Sequence, residues 1–436
     1  MTTIRDNGTS SWSRPSWDAL LFAGLAFLYL ALYNDPKGAL LILAVTVYIL
    51  LDMLFPWAEL ESRERARRWV ALGKSSMVLF AIFIATIATT AIWIGARHLT
   101  TPEQYANEGM LQVEAALKFL SQGISPYGQD YTNTPMGNRF FSNWGITVSP
   151  GLKHFVYMPL IVEISYPFYW LSLKTIGWWD QRMLHIGFLV LTLMLLSQLS
   201  EHPAHKAGLM LMVGLNPMLM LGFQEGRNDI IAIFWLALSA LALQHNRRAT
   251  AATFFALACA SKQLVWFVAP FFLAYLLGLW PWRRAQWISV GRELLPGLII
   301  SLITIVPFLV WTPQAFVSDV LIYMMGASGT ETFLANGYGL GGLLMGIGAL
   351  KDPMGAFPFV WIELGVALPL VVWLGRRLIR QRRHTLIWQY GGVLALSVVY
   401  FHRFYHDNYI GLFTFLVAFG MLIDESVVYD DANHTR

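Results

Sequence analysis

Residues 75–97, SSMVLFAIFIATIATTAIWIGAR, carry no charge before their last position, and ten residues on the chain reads NEGMLQVEAALKFLSQ at 107–122. The first stretch has the length and apolarity of a helix that crosses a bilayer. The second is amphipathic at helical spacing, with Met110, Val113, Leu117 and Leu120 on one face and Glu114, Lys118 and Gln122 on another. A span that delivers the chain into a helix lying along the membrane surface is the unit from which the rest is read.

The composition agrees. The 436 residues are 56% hydrophobic, 14% aromatic and 13% charged, with a mean hydropathy of +0.52, more apolar surface than a soluble fold can hide. Apolar runs fall at 17–34, 38–55, 75–97, 183–200, 206–222, 229–244, 249–261, 264–279, 293–311, 356–375, 385–401 and 408–423. They predict an all-α polytopic membrane protein of about twelve transmembrane helices, with juxtamembrane helices added. No separable soluble domain and no internal repeat stands out. The division expected is a cytoplasmic tail at 1–16, an additional hairpin of spans at 17–56, a membrane catalytic domain at 75–425 and a second cytoplasmic tail at 426–436. The N-terminal residues lack a signal peptide's short apolar core and cleavage site. A single cysteine, Cys259, sits in an apolar run; it has no partner for an internal disulfide and reads as a structural thiol.

The net charge of +4 comes from basic residues in short loops, a pattern of membrane orientation and not of nucleic-acid binding. Four clusters set the cytoplasmic side: Arg63, Arg65, Arg67, Arg68 and Lys74; His245, Arg247 and Arg248; Arg283 and Arg284; and Arg376, Arg377, Arg380, Arg382 and Arg383. Four polar stretches then share the outer face: 98–182, the turn Gln224 to Asp229, 312–355, and His402 to Asn408. This holds only if the apolar run His154 to Leu173 does not cross. It is expected to lie in the interface or dip back, broken by Pro159 and Pro167, with Tyr157, Tyr166, Tyr169 and Trp170 at headgroup depth. The sequons at Asn7 and Asn433 fall on the cytoplasmic side and are expected to carry no glycan.

The outer stretches hold the chemistry. Asn107 is placed to cap the helix of 107–122, which puts Glu108 in the first turn, where free backbone N–H groups favour an ionised carboxylate. Glu108 either complements the helix dipole or accepts a proton from an attacking hydroxyl at the membrane surface, with Gln112 one turn below it. Glu114 and Lys118 are spaced for an i,i+4 pair. In Glu225-Gly226-Arg227-Asn228-Asp229 the glycine makes a tight turn; these are solvated loop residues, or Asp229 orients an acceptor hydroxyl or a metal ion while Arg227 meets phosphate. Lys262, flanked by apolar sequence, either snorkels or pairs with an anion. The segment Tyr400 to Asn408 gathers His402, Arg403, His406, Asp407 and Asn408, which suits a phosphate or a sugar. It lacks the His-Glu-x-x-His pattern of a zinc site, and no P-loop, dinucleotide fingerprint or Gly-x-Ser-x-Gly elbow occurs.

In their order along the chain these motifs resemble the GT-C superfamily of membrane glycosyltransferases, nearest to the type that uses polyprenol-phosphate-mannose. The resemblance covers roughly 75–425 and runs through an acidic residue opening the first large outer loop, Glu114-Ala115-Ala116, Gly123 to Tyr127, Tyr157-Met158-Pro159-Leu160, Asn216-Pro217 ahead of Gly226-Arg227-Asn228-Asp229, Lys262, and Trp311-Thr312-Pro313. The chain has glutamate at 108 where that family usually has aspartate, and Arg227 where its turn usually has histidine. The resemblance implies an inverting transfer of a sugar, mannose first among them, from a polyprenyl-phosphate carrier to a hydroxyl of a glycan, glycolipid or protein acceptor on the outer face of the inner or plasma membrane. It implies Glu108 as general base, Asp229 as a second acidic group positioning acceptor or metal, and Lys262, Arg403, His406 and Arg227 around the carrier phosphate. Gln112, Tyr127, Tyr157, Asn228, Asp407 and Asn408 would complete the substrate site. No cofactor is required, though a divalent cation fits the chemistry. The competing expectations are a lipid or solute transporter gated by its outer loops, and a phosphotransferase holding metal on Glu108, Asp229 and Asp407.

Overall fold

The computed structural model describes residues 15–33, 36–55, 64–138, 150–278, 281–325 and 333–425. The sequons at Asn7 and Asn433 and most of both tails lie outside these residues. Every predicted apolar run is helical: α1 (Trp17–Leu32), α2 (Lys37–Leu54), α3 (Glu64–Leu99), α4 (Glu108–Ser121), α5 (Pro159–Thr175), α6 (Gln181–Leu196), α7 (Pro203–Gly214), α8 (Pro217–Gln224), α9 (Asp229–Gln244), α10 (Arg248–Ser261), α11 (Gln263–Leu277), α12 (Arg284–Trp311), α13 (Phe359–Gln381), α14 (Thr385–Val399) and α15 (Asp407–Leu422). The described strands are two residues each, β1 (Asn336–Gly337) and β2 (Phe404–Tyr405), paired in parallel.

Four helices, α2, α3, α12 and α13, are individually long and apolar enough to cross a membrane. The outward faces of α12 and α13 are greasy: Ile303, Val310 and Leu368 are each more than 60% exposed, which in water would be a large unmatched apolar surface. The expected single span at 206–222 is broken into α7 and α8, bent by 46°. Asn216 accepts a hydrogen bond from Met218 N at 3.2 Å and Pro217 takes the first helical position, a helix start in mid-run.

Two further expectations are corrected. The third apolar helix begins earlier than residue 75, because α3 takes in the first basic cluster from Arg65 onward: Lys74 is no loop residue but lies buried between Asp18 at 2.8 Å and Asp52 at 2.7 Å. A lysine with two carboxylates is satisfied inside a helix bundle where a solitary one is not. Nor do Pro159 and Pro167 break the run after His154. Pro159 opens α5, where the missing N–H costs nothing, and Pro167 sits on its exposed side. Both ends of α5 are tied to one end of the bundle, since Tyr157 leads into it and the Ser172 hydroxyl donates to Trp178 O, whose ring stacks on His98 at the end of α3.

The helices sort the polar groups to opposite ends. Gln244 at the end of α9 donates to Leu199 O and Asp424 O, Arg248 at the start of α10 reaches Leu276 O, and Arg383 pairs with Glu425. Asp229 and Lys262, at the other ends of α9 and α10, pair with each other.

Candidate functional site

The site is assembled from five chain segments at one end of the bundle. Asn107 caps α4 as its sequence predicts, accepting a hydrogen bond from Gly109 N at 2.9 Å. Its own N–H donates to Glu225 O at 2.8 Å, so the helix that begins with Glu108 is fastened to the turn that carries Arg227 and Asp229. Gly226 makes that turn at φ +91°, and a Cβ there would fall 2.2 Å from Met110 Sδ of α4. Gly109 is as constrained: a Cβ would sit 1.8 Å from the Tyr157 hydroxyl. A side chain at either position would displace its neighbour, and at Gly226 the positive φ adds backbone strain.

Around this joint the charges converge. Lys262, in extended backbone just past the end of α10, pairs with Asp229 Oδ1 at 2.9 Å and lies over the Tyr409 ring at 5.9 Å. Asn408 Nδ2 donates to the second Asp229 oxygen at 3.0 Å. Arg227 donates to Asp407, to Asn408 Oδ1 at 3.0 Å and to Glu225 at 3.4 Å. Asn228 Oδ1 lies 2.9 Å from His185 Nε2 on α6. The Tyr157 hydroxyl is held well above the ordinary phenol range by burial, with Arg227 opposing and the carboxylates of Asp229 and Glu108 adding to the shift; it stays protonated, a hydrogen-bond donor among charges. Three carboxylates (Glu225, Asp229, Asp407) thus pair with two cations (Arg227, Lys262), and Glu108 acts on the Tyr157 phenol beside them. The cations are partly exposed and the Asp229 side chain is nearly enclosed.

Three of the expected site residues are elsewhere. Gln112 is buried, its amide donating to Gly151 O at 2.9 Å and His154 O at 2.7 Å, so it anchors a loop. Tyr127 is a core residue, its ring edge-on to Phe155, Phe308 and Phe316 and its hydroxyl on Tyr157 O at 2.8 Å; it supports Tyr157 from behind. Arg403 turns away into the loop of 333–359, donating to Gly355 O over the Phe359 ring, and burial lowers its pKa. His406 is beside Arg227 and Asp407 but packs on Phe404. Burial first, and Arg227 next, push its pKa down to about 4, so near neutral pH it offers a neutral imidazole and no charge. The expected Glu114–Lys118 pair does not form either, because Glu114 is taken by Arg97 at 2.6 Å. Among the described residues no group of three His, Cys, Asp or Glu side chains is arranged to hold a metal.

What sequence reasoning missed is the support. Arg97 at the end of α3 joins Glu114 and Asp180, and the fully buried Arg182 grips Asp180 at 2.7 Å, Tyr105 O at 2.7 Å and Gln224 O at 3.0 Å. Gln224 also accepts from Tyr33 at 2.7 Å and donates to Ala85 O at 2.8 Å. The available signal was Asp180-Gln181-Arg182 opening an apolar run, since ionisable residues at such a place are seldom idle.

No protein-family model matches the chain, and no curated protein matches it.

Proposed function

We propose that this protein is an integral-membrane glycosyltransferase that moves a sugar, mannose first among the candidates, from a polyprenyl-phosphate carrier to an acceptor hydroxyl, with inversion. In this reading the twelve apolar runs are spans, the short ones completed by their flanking turns, α4 and α5 are juxtamembrane helices, the basic end is cytoplasmic and the polar end extracytoplasmic. The observation that carries it is the fastening of Glu108's helix, through the Asn107 N–H on Glu225 O, to the turn whose Asp229 pairs with Lys262. The carboxylates of Glu108 and Asp229 both act on the protonated Tyr157 phenol, and the partly exposed Lys262 ammonium sits on Asp229, at the polar end of the bundle.

The division of labour follows from charge. The attacking hydroxyl must lose a proton; Glu108, Asp229 and Asp407 all open helices, Asp229 and Asp407 pair with Lys262 and Arg227, and the base role is assigned to Glu108. The departing carrier phosphate needs cations. Lys262 supplies one by exchanging Asp229 for phosphate, which frees Asp229 to hold the acceptor, while Tyr157 donates to an oxygen of donor or acceptor. Arg227 binds Asp407 and Asn408 and steadies the turn, a more structural part than phosphate recognition. The alternative, a lipid or solute transporter, draws on the α7–α8 break, since broken helices form transport sites; the gathering of charges at one end of the bundle speaks for surface chemistry.

Glu108→Gln tests the reading. With radiolabelled sugar on a polyprenyl-phosphate donor, transfer is expected to fall by about 10²- to 10⁴-fold, the usual worth of a general base, while donor binding persists. Turnover at the parental rate would remove Glu108 from the base role.

A further inference from the structure

At the end of the bundle opposite the polar cluster, two arginine-bearing turns lie side by side. Gly278 closes α11 at φ +75°. Trp282 Nε1 donates back to Gly278 O at 3.0 Å and Gln286 Nε2 to Leu277 O at 3.3 Å, which holds Arg283 and Arg284, at the start of α12, against the end of α11. Arg382 closes α13 in the left-handed region at φ +51°, uncommon for a residue with a side chain. Its guanidinium lies next to Gly278, so that a Cβ on that glycine would be 3.3 Å from Arg382 Nη2.

Arg283, Arg284, Arg376, Arg377, Arg380 and Arg382 are all exposed, and none has a carboxylate partner among the described residues. Their neighbours Arg248 and Arg383 do, on Glu293 at 3.3 Å and Glu425 at 2.8 Å. Exposed Trp287 and Trp373 stand one helical turn inward from Arg283 and Arg377 respectively, the level at which tryptophan marks a membrane interface. The apolar outward faces of α12 and α13 begin there. Among the described residues nothing neutralises these guanidinium groups, which stand at headgroup depth, and guanidinium recognises phosphate oxygens in pairs.

We propose that these two turns form a binding surface for anionic phospholipid headgroups. The tryptophans set the depth, Arg382 locks one turn to the other, and the remaining arginines supply the charge. The surface is separate from the proposed sugar-transfer site and does not depend on that reading.

Full-length protein in neutral detergent, titrated with phosphatidylglycerol or phosphatidylcholine and read by native mass spectrometry, tests this. Juxtamembrane arginines strengthen anionic-lipid binding by about fivefold each, so phosphatidylglycerol is expected to bind at least about tenfold more tightly than phosphatidylcholine. The preference should shrink as salt rises from about 0.05 to about 0.5 M. The combined variant Arg283→Gln, Arg284→Gln, Arg380→Gln, Arg382→Gln should lose it, the corresponding lysine variant should keep most of it, and Arg65→Gln with Arg68→Gln should leave it intact. Should the glutamine variant fail to insert, the salt series and the lysine variant still decide. Equal binding of the two lipids, a preference indifferent to salt, or one surviving in the glutamine variant would overturn the proposal.

Discussion

Lys262 shows how a residue's neighbours decide what its loss means. Its ammonium is the counter-ion of a nearly enclosed Asp229, so Lys262→Ala should both weaken donor binding and leave a carboxylate uncompensated, at a cost of about 3–5 kcal/mol if the charge persists. Adding Asp229→Asn should recover the stability and leave donor affinity low; recovery of both would mean that Lys262 serves the fold alone. Gly109 gives a second test. Gly109→Ala drives a methyl into the Tyr157 hydroxyl and should cost about 1–3 kcal/mol, most of it relieved by Tyr157→Ala in the same chain; a neutral Gly109→Ala would show that the approach is looser than described. Of these residues the sequence made Asn107 and Glu108 legible, because capping is written in adjacent positions. Gln112, Tyr127 and Arg403 were misread because their partners, the carbonyls of Gly151, Tyr157 and Gly355, are backbone atoms that no spacing rule announces.

Between elements, Arg182 is the joint that matters most. Fully buried at the start of α6, it takes carbonyls from the loop before α4 and from the last turn of α8, so it sets where Glu108 and the Arg227 turn sit relative to each other. Arg182→Met should destabilise the protein by about 3–5 kcal/mol, because it takes one of two cations from buried Asp180 and leaves the Tyr105 and Gln224 carbonyls without their donor; an unchanged unfolding midpoint in denaturant would show the network to be dispensable. The sequence suggested Glu114 with Lys118 from helical spacing, and the ion pair with Arg97 prevailed because it is enclosed and bidentate, whereas an exposed i,i+4 pair is worth a few tenths of a kcal/mol.

Across the whole molecule, apolar periodicity located the helices well, since burial in a bundle needs only runs of sufficient length. It misjudged where α3 starts, because Lys74 counts as a loop charge until Asp18 and Asp52 are brought to it by α1 and α2. The separation of polar and basic ends yields a prediction for orientation. In a Cys259→Ser background, Lys118→Cys should react with an impermeant maleimide in intact cells and Gln381→Cys only after permeabilisation; labelling of both from one side would refute the arrangement. α3 carries both Lys74, on the Asp18–Asp52 pair, and Arg97, in the network with Glu114 and Asp180, and between them it widens into a π-helical turn at Phe83–Ala88. Ala85 O within that turn receives Gln224. Excising one residue there would rewind the rod by about 100°, so that Lys74 and Arg97 could no longer both face their partners. The wide turn acts as a phase adjuster, letting a single rod serve two misaligned sockets.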